Sequence, residues 1–286
     1  MLLNIDNELN IIKNSKFIVS GGIGMILNNE SYIYKILFFK MAYLNNIKMY
    51  NNFHDKISMP NLVNYFVYSD IYIKSNEEIK QKLDDIYQDK LYLLYQKNQK
   101  NIILENNYLI LYVLKYEKLD NNCYYTFLNQ INTNDRSLNE TFSFFIIWIF
   151  NLIHYMNIGL KVYHNDLKLD NILIKKKLKN VVTKYKFNNI ILYNHTNYDF
   201  YLNDFDMTLD NAISQNLDLI NIKTSINKIF ANKNQTNFIE YILNKINTIE
   251  TESDIFPKWL DRSTLFKQII TNNIIDEFLS FVNKIV

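Results

Sequence analysis

The stretch Tyr163 to Ile174, Tyr-His-Asn-Asp-Leu-Lys-Leu-Asp-Asn-Ile-Leu-Ile, constrains this chain more than any other. A histidine is followed by a carboxylate two residues on, a lysine two beyond that and a carboxamide three beyond the lysine, and the segment then turns apolar and strand-like. Such groups suit a loop that orients a hydroxyl, holds a metal-bound polyphosphate in line with it and neutralises the charge on the group that moves. Asp166 is the residue to accept or orient the hydroxyl, Lys168 to sit against the transferred group, and Asn171 to offer a neutral oxygen to a hard cation. His164 is expected to pack and hold the loop. The competing reading is a polar surface loop in a chain rich in Asn, Asp and Lys.

Two further segments bear on that choice. Downstream, Tyr201-Leu-Asn-Asp-Phe-Asp206 ends an apolar and aromatic run with two carboxylates, and Asp204 suits a charged metal ligand. Upstream, Phe17 to Leu27 reads as a strand, a glycine-rich turn and a second strand, and Tyr32 to Leu37 is an apolar strand with one lysine, Lys35. The chain has four glycines, and Gly21, Gly22 and Gly24 lie together. Glycine permits positive φ and close approach of backbone N–H groups to phosphate oxygens, although such a cluster by itself also fits a plain hairpin turn. Lys35, likewise, reads either as a phosphate ligand or as a strand lysine facing solvent.

In this order the segments resemble the protein kinase superfamily, over roughly Ile18 to Phe230. The resemblance implies an α+β, bilobal, protein-kinase-like fold. Its mainly β N-lobe would span residues 1–116, with an inserted helix at about 75–96, and its mainly α C-lobe residues 117–286. It implies ATP with Mg²⁺ or Mn²⁺, Asp166 and Lys168 as catalytic residues, and Asn171 and Asp204 as metal ligands. Gly21, Gly22 and Gly24 would cover the phosphates, Lys35 would reach the α and β phosphates, and the backbone from Leu114 to Tyr116 would receive the adenine. By the same resemblance Lys168 points to serine or threonine hydroxyls of protein substrates.

Several features depart from the family pattern. No glutamate occurs between Glu30 and Glu77, so the usual partner of the strand lysine is replaced by Asp55, by Glu77 or Glu78, or is absent. The first glycine of the loop falls at Val19, Asp206 replaces the glycine after the metal motif, and Asn165 stands where regulated kinases carry an arginine. Asp218 resembles the aspartate anchoring the central helix, yet only 11 residues separate it from Asp206, too few for the usual activation segment. Between Asn171 and Asp204 lie 32 residues, with strands expected at Ile172 to Lys175, Val181 to Phe187 and Ile190 to Tyr193, and with Asp199 to Asn203 leading into the metal motif. An extra hairpin there resembles haspin-like kinases and the serine/threonine kinases of large DNA viruses such as poxviruses. Two alternatives remain open: a small-molecule kinase of the aminoglycoside or choline kinase type, and a catalytically inactive pseudokinase acting as a binding module.

Composition bounds the rest. At 286 residues, 48% hydrophobic and a formal net charge of +2, the chain can bury a sizeable core and has no overall pull towards nucleic acid or anionic membranes. The single cysteine, Cys123, excludes an intrachain disulfide and suits a reducing compartment. Phe142 to Ile153 is the most apolar run and is shorter than the roughly 20 residues that a membrane-spanning helix needs, so a core helix is expected. The first 15 residues lack the apolar centre of a signal peptide. The expected partners are therefore ATP and protein substrates, with no nucleic acid and no membrane span. The expected location is cytoplasmic, meaning the host cytoplasm or the virion under the viral resemblance. Strands are expected at Phe17 to Val19, Met25 to Leu27, Ser31 to Phe38, Asn101 to Leu104 and Tyr108 to Tyr116. A helix is expected at Ala42 to Asn52, and two or three more over Gln235 to Val286.

Overall fold

The computed structural model describes residues 5–73, 75–119, 122–123, 136–178, 181–187, 190–210, 217–231, 243–244 and 246–247. The chain forms two compact units, one of Met1–Asn52 with Pro60–Lys118 and the other of Phe53–Met59 with Leu119–Val286. The architecture is the mixed one expected of a kinase-like chain, with an antiparallel sheet in the first unit and the longer apolar helix in the second.

The first unit is built on five strands, β1 (Lys16–Ser20), β2 (Gly24–Asn28), β3 (Tyr32–Leu37), β4 (Leu62–Tyr72) and β5 (Tyr108–Glu117), in the order β1-β2-β3-β5-β4. Every neighbouring pair is antiparallel. Residues opposite one another across a ladder share a face, so the register sorts the side chains. Tyr34 lies opposite Lys115 and Ile36 opposite Val113. These face α1 (Ile5–Lys13), α3 (Asn76–Ile86) and α4 (Lys90–Asn98), whose Ile12, Ile79, Leu83, Leu91 and Leu94 complete one core. Lys35 lies opposite Leu114 and Leu37 opposite Tyr112, on the other face. There Ala42 and Tyr43 of α2 (Lys40–Phe53) close a second, smaller core.

The stretch read as one inserted helix is two. Ser75 caps α3 as its side chain predicts, accepting the Glu78 N–H at 3.2 Å, but the chain breaks at Asp89, whose φ is 47°. Residues 101–104 form no strand. Instead Asn106 and Asn107, at φ 52° and 66°, make a tight turn bridging Glu105 to Tyr108, with the paired positive angles that such a turn demands.

In the second unit α5 (Arg136–His154) carries the expected apolar run, and its Phe142, Phe145 and Trp148 are wholly buried. Among the described residues no helix is long and apolar enough to cross a membrane. A wide π-helical turn, Tyr155–Leu160, leads to β7 (Val162–Tyr163), the β6 bridge strand being Asn122–Cys123. The three strands expected between Asn171 and Asp204 are present as β8 (Ile172–Lys176), β9 (Thr183–Phe187) and β10 (Ile190–Asn194), and a further strand, β11 (Tyr198–Leu202), follows them. β11 pairs with β8, and Phe200 inserts between Phe145 and Trp148 at ring distances of 5.4 Å. The short β12 (Leu209–Asp210) turns back onto β7, and α6 (Leu217–Phe230) follows. Most of the helices expected over Gln235 to Val286 lie outside the described residues.

Candidate active site

The loop after β7 is fastened from below. Asp218, one residue into α6 and 1% exposed, accepts the backbone N–H groups of His164 and Asn165, each at 2.8 Å. Burial holds its carboxyl above the ordinary aspartate range, and the neighbouring His164 and these N–H donors pull it partway back. Ser225 accepts the Leu169 N–H at 3.1 Å, and Asn221 reaches the Asn165 carbonyl at 3.5 Å. Asp218, Asn221 and Ser225 are spaced three and four apart, so a single stripe of α6 carries the loop. Asn221 and Ser225 were not foreseen, although a polar stripe at helical spacing is a readable signal.

His164 is fully buried, and its Nε2 donates to the Asn203 carbonyl at 2.9 Å while its ring lies 5.4 Å from that of Phe205. It thus holds the loop to the segment bearing Asp204, in the packing role expected of it. Asn165 adopts φ 62° and donates its side-chain amide to the Met207 carbonyl at 3.0 Å.

Above this base the polar groups converge on Asp166. Lys168 donates to its Oδ2 at 2.7 Å. The Asn171 amide donates to the same oxygen at 3.1 Å and to the Asp166 backbone carbonyl at 2.7 Å. Oδ2 is thereby occupied twice, and Oδ1 is the atom left to meet a hydroxyl.

Asp204 is placed by register. β8 and β11 pair Ile172 with Leu202, and the ladder runs on one step as the Asn203 N–H donates to the Asn171 carbonyl at 2.9 Å. The next residue, Asp204, takes a left-handed conformation at φ 67°, and a tight turn, Phe205–Met207, follows. Asp206 is 9% exposed.

These residues fit a hard divalent cation. Because the Asn171 Nδ2 gives its hydrogens to Asp166, its Oδ1 is the end facing away from Asp166, and the Asp204 carboxylate is carried on the adjoining strand end. Among the described residues no group of three or more His, Cys, Asp or Glu could hold a metal alone. Two protein oxygens with the remainder from phosphates is the usual arrangement for Mg²⁺.

The first unit carries the other expected residues. Lys35 is 8% exposed, so the solvent-facing reading is wrong. It lies on the face covered by α2, which contains no acidic residue and presents the buried Asn46, itself accepting from the Tyr116 hydroxyl at 3.0 Å. Glu77 and Glu78 open α3, which covers the opposite face of the sheet, so neither is delivered to the Lys35 side. Asp55 belongs to the second unit, where it adds to the burial that raises the Tyr155 hydroxyl.

Two expectations need correction. Gly21, Gly22 and Gly24 are not used for positive φ, since no described glycine adopts it. Gly24 is needed for space instead: a Cβ there would lie 2.6 Å from Leu37 Cδ2 and 3.0 Å from the Ile36 carbonyl. At Gly22 a Cβ would meet nothing within 4 Å, so that turn is open. Leu114 and Tyr116, in turn, cannot offer backbone groups to an adenine. Both lie within β5, paired with β3 on one side and β4 on the other, so their N–H and C=O groups are spent in the sheet. Glu117 and Lys118 still donate to the Asn61 and Ser31 carbonyls, at 2.9 and 3.1 Å, and the first unit ends there.

No family model matches this chain, and no curated protein matches it. Among solved structures the chain is similar to WaaP, solved in complex with acyl carrier protein, with 11% sequence identity and a TM-score of 0.47 over 94% of this chain and 90% of that one. At this distance neither a substrate nor a partner carries over.

Proposed function

We propose that this protein is an ATP- and divalent-metal-dependent phosphotransferase acting on a hydroxyl group. The observation that carries the reading is the convergence of Lys168 and Asn171 on one oxygen of Asp166, on a loop locked by Asp218. Asp166 Oδ1 orients the acceptor hydroxyl and takes its proton as the new bond forms. Lys168, within reach of that carboxylate, offsets charge on the transferred group. Asn171 and Asp204 would hold the Mg²⁺, which when bound supplies charge neutralisation on the triphosphate. The family resemblance makes the acceptor a protein serine or threonine.

A second acceptor class is favoured by one observation. After Asp206 the chain returns at once to β7 through Leu209, opposite Tyr163, and α6 begins at Leu217. Little chain is left to build a platform for an extended peptide, which favours a small-molecule hydroxyl.

The test is transfer from radiolabelled ATP with Mg²⁺ or Mn²⁺ to a protein panel and to a metabolite extract, beside Asp166→Asn and Asp204→Ala. Labelled protein supports the first acceptor and a labelled metabolite the second. Transfer that survives Asp166→Asn undiminished sinks the catalytic assignment. Nucleotide binding without turnover marks a silent binding module.

A further inference from the structure

We propose that the tip joining β8 to β9 docks on an anionic lipid surface, an activity separate from phosphoryl transfer. Six lysines, at 175, 176, 177, 179, 184 and 186, occur between Asp170 and Asp199 with no acid among them. The chain as a whole is only +2, so the remainder is net acidic and the positive charge is concentrated here.

The hairpin separates these lysines by role. Lys177 has its side chain 4% exposed, donates to the Asn194 carbonyl at 2.6 Å and lies 3.9 Å from Asp199. Beside it the buried Tyr185 hydroxyl accepts the Phe200 N–H at 2.8 Å. This fixes the base of the hairpin to β11. Along β9, Tyr185 and Phe187 point inward, so Lys184 and Lys186 point out, opposite Tyr193 and Ile191 of β10. Lys176 is exposed at the end of β8.

Between these cations the tip shows aliphatic groups to solvent. Leu178 is 83% exposed, Val181 and Val182 are each 47% exposed, and the Val181 N–H reaches the Leu178 carbonyl at 3.4 Å. Three exposed aliphatic side chains thus fall within five residues of sequence, flanked in the chain by lysines. An anionic bilayer suits this pattern: the aliphatics enter the headgroup region and the ammonium groups meet lipid phosphates and carboxylates. A nucleic-acid surface would be built differently, with stacking rings and arginines; here, among the described residues of β9 and β10, Tyr193 is the exposed ring and Lys184 already lies over it at 5.8 Å, and the chain's two arginines, Arg136 and Arg262, lie elsewhere in the sequence. Lys176 stands at the far end of β8 from Ile172, which follows Asn171, roughly 13 Å away at strand rise, so docking leaves the Asp166 loop clear.

The experiment is vesicle flotation of the full chain with neutral phosphatidylcholine and with vesicles containing about 30% phosphatidylserine, at about 0.1 M and about 0.5 M salt. Two variants accompany it, Lys184→Glu with Lys186→Glu, and Leu178→Ser with Val181→Ser and Val182→Ser. All altered side chains apart from their stems are exposed, and thermal melts confirm folding. The expected result is flotation only with the anionic vesicles at low salt, weakened at least about 25-fold by the charge reversal, at about fivefold per lysine, and weakened also by the serine variant. Absence of flotation by the wild type, or flotation of either variant equal to that of the wild type, overturns the proposal. So does tighter binding to a single-stranded oligonucleotide that the serine changes leave untouched. Catalytic activity is not read, so the outcome is independent of the phosphotransfer assignment.

Discussion

Asn171 holds Asp166 at two points, through the backbone carbonyl at 2.7 Å and the carboxylate Oδ2 at 3.1 Å. One amide thereby sets the direction of the carboxylate and leaves its own oxygen facing away from Asp166. Asn171→Ala should lower turnover by about a hundredfold or more and raise the metal concentration needed for half-maximal rate. A metal titration of the steady-state rate checks both. An unchanged metal requirement would remove Asn171 as a ligand.

Asp218 is a buried carboxylate that works as a double acceptor. Asp218→Ala orphans two buried N–H groups and should cost about 2–5 kcal/mol, read by urea denaturation. The pH dependence has a definite sign. Because burial raises the folded-state carboxyl above its unfolded value, the native state binds the extra proton, and stability falls as pH rises from the unfolded pKa through the raised one. Asp218→Asn should lack that fall, so parallel denaturation series from acid to neutral pH should give a smaller slope for the variant.

Lys115 and Glu8 form an ion pair of 2.7 Å with side chains only 11% and 13% exposed, and the Tyr34 hydroxyl donates to the same carboxylate at 2.8 Å. Glu8→Gln leaves the ammonium without its counter-charge and should destabilise by about 3–5 kcal/mol. Glu8→Leu combined with Lys115→Met should recover most of that loss. A double variant no better than Glu8→Gln in chemical denaturation would contradict this account.

Gly24 and Gly22 should respond in opposite ways to the same methyl group. Gly24→Ala forces Leu37 and the β3 backbone aside and should cost about 1–3 kcal/mol, whereas Gly22→Ala should be neutral or stabilise by up to about 1 kcal/mol. Thermal melts of the two variants distinguish them. If both behave alike, the close approach at Gly24 is not what requires glycine.

The candidate site was legible where local spacing alone decides geometry. Asp166, Lys168 and Asn171 lie within six residues of one loop, so a tight turn brings them together whatever surrounds it. The hairpin β9–β10 was legible too, because alternation of Lys184, Tyr185, Lys186 and Phe187 marks a half-buried strand. What failed depends on partners. Leu114 to Tyr116 continue the β5 alternation without a mark, and only pairing with β3 and β4 shows that their backbone is taken. The glycine cluster could not announce that Gly24 serves Leu37, 13 residues away, since steric need is invisible without the neighbouring strand. Nor could good helix formers around Asp89 signal the break between α3 and α4, which the packing of both helices on one sheet face imposes.

The return of β12 onto β7 has its own bearing on control. Asp204 sits on a segment stapled before it, by Asn203 to Asn171 and His164, and after it, by Leu209 beside Tyr163. Swinging that carboxylate outward would mean parting a strand pair from the loop that holds Asp166.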